Sequence, residues 1–467
     1  MTGQTRYTIR VALSVALGGF LMGFDASVIS GVVTFIEPEF ELSKIELGWA
    51  VASLTLTATI AMMLSGPLSD RWGRRPVLKL AALLFALSAV ASALAPSFVT
   101  LVAARMLGGF GVGAALIIAP MYIAEIAPAQ MRGRMVSFNQ LNIVIGISAA
   151  FFSNYLILRL GQSDAPWAHT LHLSEWSWRW MLGVEALPAI FYFFALLAVP
   201  ESPRWLLMNG TEAEARRVLL RVSSADRADE DIQAIKASLD ADQSAKRARL
   251  RELFNPHLRR VIVVAALVGI LQQITGINAV FFYAPMIFEQ SGIGTDAAFM
   301  QAVLVGLVNL LFTVLAILSI DRLGRRPLLI TGLAGIAACM LLISYGFASA
   351  EPNPTIILVG ILGFVASFAF SLGPVMWVLF SELFPNRVRG LAISFVGLIN
   401  SAVSFAVQLV FPWEVEQLGS SVAFLIFAAF ALLGLAFVIR LLPETKGKSL
   451  EELEAELVRS TPTERRS

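Results

Sequence analysis

A chain of 467 residues with a single cysteine cannot close a disulfide within itself, and that residue, Cys339, sits in an apolar run with no metal-ligand spacing around it. Charge is scarce as well. Asp, Glu, Lys and Arg make up 15% of the residues against 57% hydrophobic, too apolar a balance for an ordinary water-soluble domain. No Gly-x-x-x-x-Gly-Lys-Ser/Thr stretch occurs, which removes nucleotide-driven pumping by this polypeptide. No nucleophile–base pair or metal cluster points to a membrane-embedded enzyme.

What is present is a series of twelve apolar segments, about 11–32, 49–69, 77–95, 98–123, 136–158, 179–199, 259–280, 298–320, 327–348, 356–380, 391–411 and 420–442. Each is near the roughly 20 residues that a helix needs to cross a hydrocarbon core. Their Ala, Leu, Gly and Phe content predicts helices, since barrel strands are shorter and alternate. Arg6 and Arg10 precede the first run, but it is too long for a signal peptide and no small-residue cleavage site follows. Of 35 Lys and Arg, only Lys44, Arg159 and Arg179 fall in or beside the loops joining segments 1–2, 3–4, 5–6, 7–8, 9–10 and 11–12. The positive-inside bias therefore places both termini in the cytoplasm.

The sequence repeats itself. "DRWGRRP" at 70–76 returns as "DRLGRRP" at 321–327, "EIAPAQMRG" at 125–133 as "ELFPNRVRG" at 382–390, and "PESPR" at 200–204 as "PETKG" at 443–447. Three matches in one order imply two six-helix repeats in parallel orientation, the symmetry of a carrier that rocks about a central site. The predicted fold class is an all-α membrane protein. Its divisions are an N-terminal transmembrane half (1–199), a cytoplasmic helical linker (200–258), a C-terminal transmembrane half (259–442) and a cytoplasmic tail (443–467). At the cytoplasmic helix ends, Asp70, Glu125, Glu201, Asp321, Glu382 and Glu444 lie close in sequence to Arg74, Arg75, Arg132, Arg204, Arg325, Arg326 and Arg389. Ion pairs between helices are expected there, and pairs that form only when the cytoplasmic sides of the halves touch would favour an outward-open state.

Asp25 is an acid inside an apolar run. Segment 1 runs outward and leaves Asp25 roughly 12 Å below the outer edge; segment 4 runs inward and brings Arg105 roughly 10 Å below the same edge. The two can meet, and a carboxylate facing a guanidinium offsets much of the several kcal/mol that an unpaired ion costs there. Arg105 stays protonated, so Asp25 is the partner that titrates. Two readings stand: a proton switch, or a permanent ion pair fixing segment 1 on segment 4. Glu185, a third acid, either competes with Asp25 for Arg105 or holds a kink near Pro188. The uncharged polar set is Gln140 and Asn142, Gln272, Gln273 and Asn278, Asn309, and Asn400, amides that both donate and accept as polyhydroxylated ligands require. Gln272 and Asn278 are about 120° apart round a regular helix, and a break at Gly276 would let them converge. Trp377 offers a ring for an apolar sugar face and an N–H.

With these motifs in hand, "GPLSDRWGRRP" (66–76), "PESPRWL" (200–206), "QQITGINAVFFYAP" (272–285), "GPVMWVLFSELFP" (373–385) and "PETKG" (443–447), the chain resembles the sugar porter family of the major facilitator superfamily over about 11–450. The resemblance implies the major facilitator fold and proton-coupled symport of a monosaccharide, hexose or pentose, across the inner membrane, with a proton-independent facilitator or a nontransporting sensor as alternatives. It implies Asp25, Arg105 and Glu185 for proton coupling, and Gln140, Gln272, Gln273, Asn278, Asn309, Trp377 and Asn400 for the sugar. Phe282 and Tyr283 match an aromatic pair gating the outer side, one hydroxyl being absent here. Ser401 and Met22 stand where relatives carry aromatic residues against the sugar. The expected partners are a monosaccharide or related polyol, a proton and membrane lipid. No nucleic acid, cofactor or metal is expected, and the chain is expected to function as a monomer.

Overall fold

The computed structural model describes residues 3–128, 131–244, 250–384 and 388–445. Among them are twelve helices long and apolar enough to cross a membrane, numbered here as spans 1 to 12: Gly3–Gly31, Lys44–Trp72, Arg74–Ala93, Phe98–Ile126, Phe138–Gly161, Ser177–Leu197, Leu258–Gln290, Thr295–Ile320, Arg325–Phe347, Pro354–Leu383, Arg389–Leu418 and Ser420–Leu441. Several run past the apolar window that marks them in the sequence. Hydropathy reports where hydrocarbon begins, whereas the helix continues until its backbone is stopped. Span 2 ends at Gly73 and span 8 runs into Gly324, whose φ values of 103° and 88° favour glycine.

Residues group into two compact units. The first holds spans 1 and 3–6, the rest of span 2 and the linker helices as far as Ser244; the second holds the linker turn Leu250–Leu253 and spans 7–12 together with Val33–Ala52. Within the second unit that excursion is packed closely. A Cβ on Gly48 would strike the Leu409 carbonyl, and Trp49 meets Phe405 edge-on at 5.8 Å. Within the first unit, spans 1 and 5 touch backbone to backbone. Gly23 lies against the Ile143 carbonyl and Gly146 against that of Phe20, so any side chain at either position would push the helices apart.

Four spans are interrupted. Span 1 tightens into a 3₁₀ turn at Ile29–Gly31, span 6 breaks between Gly183 and Ala186, span 7 breaks at left-handed Gly276 (φ 90°), and span 10 breaks at Ser371 (φ −127°, ψ −91°). Non-helical backbone at membrane depth survives only where protein or a polar cavity surrounds it.

The linker contributes helices Pro203–Met208, Glu212–Val222, Ala225–Ser244 and the single turn Leu250–Leu253. Glu212, Glu214, Arg216 and Arg217 stand on solvated faces. Arg216 forks onto Asp229 at 2.8 and 3.0 Å, and Lys236 reaches Glu212 at 2.8 Å, exposed pairs of small energetic worth.

The repeated motifs build the same fastening twice. In the first unit Arg74 forks onto Glu125 at 3.1 and 3.0 Å, while Glu201 accepts the backbone N–H groups of Arg74 and Arg75. In the second, Arg325 pairs with Glu382 at 2.7 Å, and Glu444 accepts the N–H groups of Arg325 and Arg326, both at 3.0 Å. Ser202 donates to Glu125 as Thr445 does to Glu382. Each carboxylate after spans 6 and 12 thus caps the orphan donors of the next unit-mate helix, spans 3 and 9. Burial pushes the Glu201 carboxyl up, and the backbone donors of Ser202, Arg75 and Arg74 oppose that shift. The sequence suggested pairs that form when the halves meet; these pairs instead close within one unit and bind three helix ends together. The side chains of Arg132 and Asp321 lie outside the described residues. Arg204 reaches Ser238 at 3.3 Å, and Arg389 donates to the Phe384 carbonyl at 3.1 Å.

Burial separates the partners of Arg74, whose side chain is 3% exposed: Glu125 is 10% exposed and Asp70, 3.0 Å away, is 56% exposed. Breaking a buried pair costs about 3 kcal/mol, an exposed one under about 1. Glu125→Gln is therefore expected to lower the thermal unfolding midpoint in detergent by several degrees, and Asp70→Asn to leave it nearly unchanged. Equal shifts would contradict this ordering.

Candidate functional site

Span 4 carries Arg105 opposite Asp25 of span 1, each 1% exposed. Arg105 Nη1 donates to Asp25 Oδ1 and Nη2 to the Asp25 backbone carbonyl, both at 3.3 Å. The contact depends on a glycine one turn along span 4. A Cβ on Gly108 would stand 2.7 Å from Asp25 Oδ2 and 2.5 Å from Ser88 Oγ. Asp25 Oδ2 and Arg105 Nε have no hydrogen-bond partner among the described residues. The pair is thus sealed from solvent and only half saturated, an arrangement in which adding a proton to the carboxylate removes the attraction without removing the arginine's charge.

Glu185 lies at the interruption of span 6, 3% exposed, and feels the charges of both Asp25 and Arg105. Its Oε1 has no partner among the described residues. Of the two positions read from the sequence, the backbone puts it at the interruption of span 6, three residues before Pro188.

In the second unit the amides form one connected cluster. The turn at Gly276 brings Asn278 back onto span 7, so that its Nδ2 donates to Gln273 Oε1 at 2.7 Å. Gln273 Nε2 then donates to Gln272 Oε1 at 3.1 Å and to Asn400 Oδ1 at 3.2 Å. Asn400 closes the ring onto Gln272 Oε1 at 3.0 Å and anchors it to the Gly269 carbonyl at 2.8 Å. Gln272 reaches the Leu372 carbonyl beside the break in span 10, at 3.2 Å. An amide has two N–H donors and a two-lone-pair oxygen. Gln273, Asn278 and Asn400 have both donors engaged, one of those of Asn400 on the Gly269 backbone; Gln272 has one described bond from its two donors, and the Asn278 oxygen makes no described hydrogen bond.

The other sequence-selected residues stand apart from that ring. Asn309 on span 8 is buried, Phe282 is half-buried and Trp377 is 47% exposed, edge-on to Phe380 at 5.9 Å; no described hydrogen bond joins any of them to the amides. Gln140 is exposed on span 5 of the first unit, and Asn142 there bonds back to its own helix at Phe138, 2.8 Å away. Tyr283 is fully buried, sits at a second irregularity in span 7 (φ −126°, ψ 17°) and donates to the Gln408 carbonyl at 2.8 Å.

The sequence signature of the family described as "Sugar (and other) transporter" matches residues 11–457. The chain belongs to this family. The sugar transporter is 38% identical to the arabinose-proton symporter of Bacillus subtilis over 449 residues, covering 96% of this chain and 94% of the relative. It is 39% identical to the D-xylose-proton symporter of Escherichia coli, covering 97% and 96%. Among solved structures, the inward-open xylose transporter XylE from E. coli superposes with a TM-score of 0.82 at 37% identity, over 96% of this chain and all of that one. This sugar transporter is a multi-pass inner-membrane protein and a secondary active transporter, not an enzyme.

Two polar residues of the cluster escaped the sequence reading. Ser404 Oγ accepts from Asn278 Nδ2 at 2.6 Å and from Gln408 Nε2 at 2.8 Å, and Gln408 is 1% exposed. With Asn400 they recur every fourth residue on one face of span 11, a polar stripe whose spacing is legible in the sequence. Ser404 takes one Asn278 donor and Gln273 the other, which leaves the Asn278 oxygen with no described hydrogen bond. Ser404→Ala is expected to free one Asn278 N–H and weaken sugar affinity roughly fivefold, the worth of one net hydrogen bond. Ser404→Thr, which keeps the hydroxyl, should restore most of it. Transport kinetics with unchanged half-saturation in both variants would overturn the assignment.

Proposed function

We propose that this transporter carries a monosaccharide or a related polyol together with a proton, driven by the proton gradient. The observation that carries the reading is the sealed Asp25–Arg105 pair: a titratable acid at membrane depth, facing a cation that cannot discharge. Relatives named for arabinose, xylose, glucose and myo-inositol are 38%, 39%, 36% and 35% identical. Identity thus sets pentose, hexose and cyclitol carriers side by side, and the substrate class is a small polyhydroxylated ring. An amide cluster suits such a ring because each sugar hydroxyl exchanges one amide–amide bond for a bond of the same kind. Gln272, Gln273, Asn278 and Asn400 are assigned to it, with Gln140, Asn309 and Trp377 as further contacts and Phe282 and Tyr283 as the outer gate.

In the proposed cycle Asp25 takes a proton from the outer side. Arg105 then loses its closest counter-charge, and Glu185 is the remaining acid able to receive it. Spans 1 and 4 are released from each other, the halves rearrange about the bound sugar, and Asp25 discharges on the cytoplasmic side. The covalent structure of the sugar is unchanged. The transporter is proposed to work as a monomer in contact with lipid and without a nucleic-acid partner.

Asp25→Asn keeps the size and removes the titration. In vesicles with an imposed inward proton gradient, the original protein is expected to accumulate sugar, and the variant to equilibrate at about equal concentrations while retaining sugar–sugar exchange. Stoichiometric proton entry with sugar in the variant would reject Asp25 as the carrier; loss of exchange along with accumulation would assign it a structural role.

A further inference from the structure

Arg74, Arg75, Arg325, Arg326 and Arg389 of the repeated motifs are spoken for by protein groups. Arg6 and Arg10 are not. They stand one helical turn apart on span 1, both exposed, and neither makes a hydrogen bond or an ion pair with a described residue. They form the mouth of a groove of about 550 Å³ in the first unit, whose floor is Leu13 and Leu17 of span 1 and Phe191 and Ala195 of span 6. Phe191 is 65% exposed and Leu13 is 44% exposed, so this floor opens on the side where an integral membrane protein meets hydrocarbon. Leu17 lies roughly 10 Å along the helix from Arg10, which is acyl-chain depth if Arg10 sits at headgroup level. Asn142, the one amide lining the groove, is occupied by its own helix at Phe138.

We propose that this groove is a binding site for an anionic phospholipid, with the phosphate held by Arg6 and Arg10 and one acyl chain laid along Leu13, Leu17 and Phe191. Two unpaired guanidiniums call for an anion, and basic pockets between helices at the cytoplasmic side take lipid headgroups. The continuous apolar floor selects a lipid over a free ion, because a small anion leaves Leu17 and Phe191 uncovered. A lipid wedged between spans 1 and 6 bears on the helix that carries Asp25 and on the one that carries Glu185. Its occupancy is therefore set to bias the proton-coupling step from a site that touches neither sugar nor proton.

The test uses the purified full chain, released into detergent from membranes doped with phosphatidylglycerol and weighed by native mass spectrometry. The original protein is expected to retain phosphatidylglycerol adducts that phosphatidylcholine does not replace. Arg6→Gln with Arg10→Gln should lower apparent affinity roughly 30-fold, about 1 kcal/mol for each basic residue lost, and Arg6→Lys with Arg10→Lys should keep most of it. Ala195→Trp, which fills the floor and leaves both charges, should also expel the adduct. Full retention in the double Gln variant overturns the proposal. Retention in Ala195→Trp, or displacement by inorganic phosphate alone, overturns the lipid in favour of a simple anion site. Sugar–sugar exchange, measured in parallel, separates loss of the lipid from loss of the fold.

Discussion

One buried ion pair sets the terms for the rest of the molecule. A carboxylate or a guanidinium alone at the depth of Asp25 and Arg105 costs several kcal/mol, so neither is tolerable without the other. Their meeting requires spans 1 and 4 to approach closely, and Gly108 supplies the room in which the Asp25 carboxylate lies. It also makes the contact conditional. A guanidinium cannot discharge whereas a carboxylate can take up a proton, and so a single proton decides whether the attraction exists. In the proposed cycle Glu185, buried at the interruption of span 6 with an oxygen that has no partner among the described residues, is the acid that would receive the arginine.

The polar cluster of the second unit obeys the same economy by another route. Span 7 breaks at Gly276 and span 10 at Ser371, and the amides of the cluster tie onto backbone carbonyls of these two broken spans: Gln272 bonds to Leu372 and Asn400 to Gly269. The amides also satisfy one another, which keeps the site stable without a ligand. If the proposed assignment holds, a sugar entering it exchanges hydrogen bonds more than it adds them. Under the proposed assignment, selectivity between rings of similar hydroxyl count then falls to shape.

Most of the architecture was legible in the sequence because membranes simplify the problem. Twenty apolar residues have few alternatives to a helix, and repeated motifs reveal the halves without any contact information. The meeting of Asp25 with Arg105 followed from counting residues along two helices of opposite direction, and the bend that joins Gln272, Gln273 and Asn278 followed from a glycine between them. Other features depend on partners far away in the chain. Nothing local to Ser371 marks a helix break, and nothing near Glu125 says that its arginine belongs to its own half. The attachment of Val33–Ala52 to the second unit rests on Gly48 against Leu409 and Trp49 against Phe405, pairs more than three hundred residues apart. Ser404 and Gln408 were hidden differently. A serine and a glutamine in an apolar span are ordinary, and only their shared face with Asn400 distinguishes them.

The central claim is that sugar and proton are coupled through the charge state of one carboxylate. Linkage makes it measurable without transport: if protonation favours the sugar-bound form, sugar must in turn draw a proton onto Asp25. Infrared difference spectra of the purified transporter, taken on sugar addition near neutral pH, should show a carboxylate band replaced by a protonated carboxyl band in the original protein, with the same band missing when residue 25 carries an amide. A sugar-induced spectrum with no carboxyl change, in a protein that still moves protons with sugar, would contradict the account.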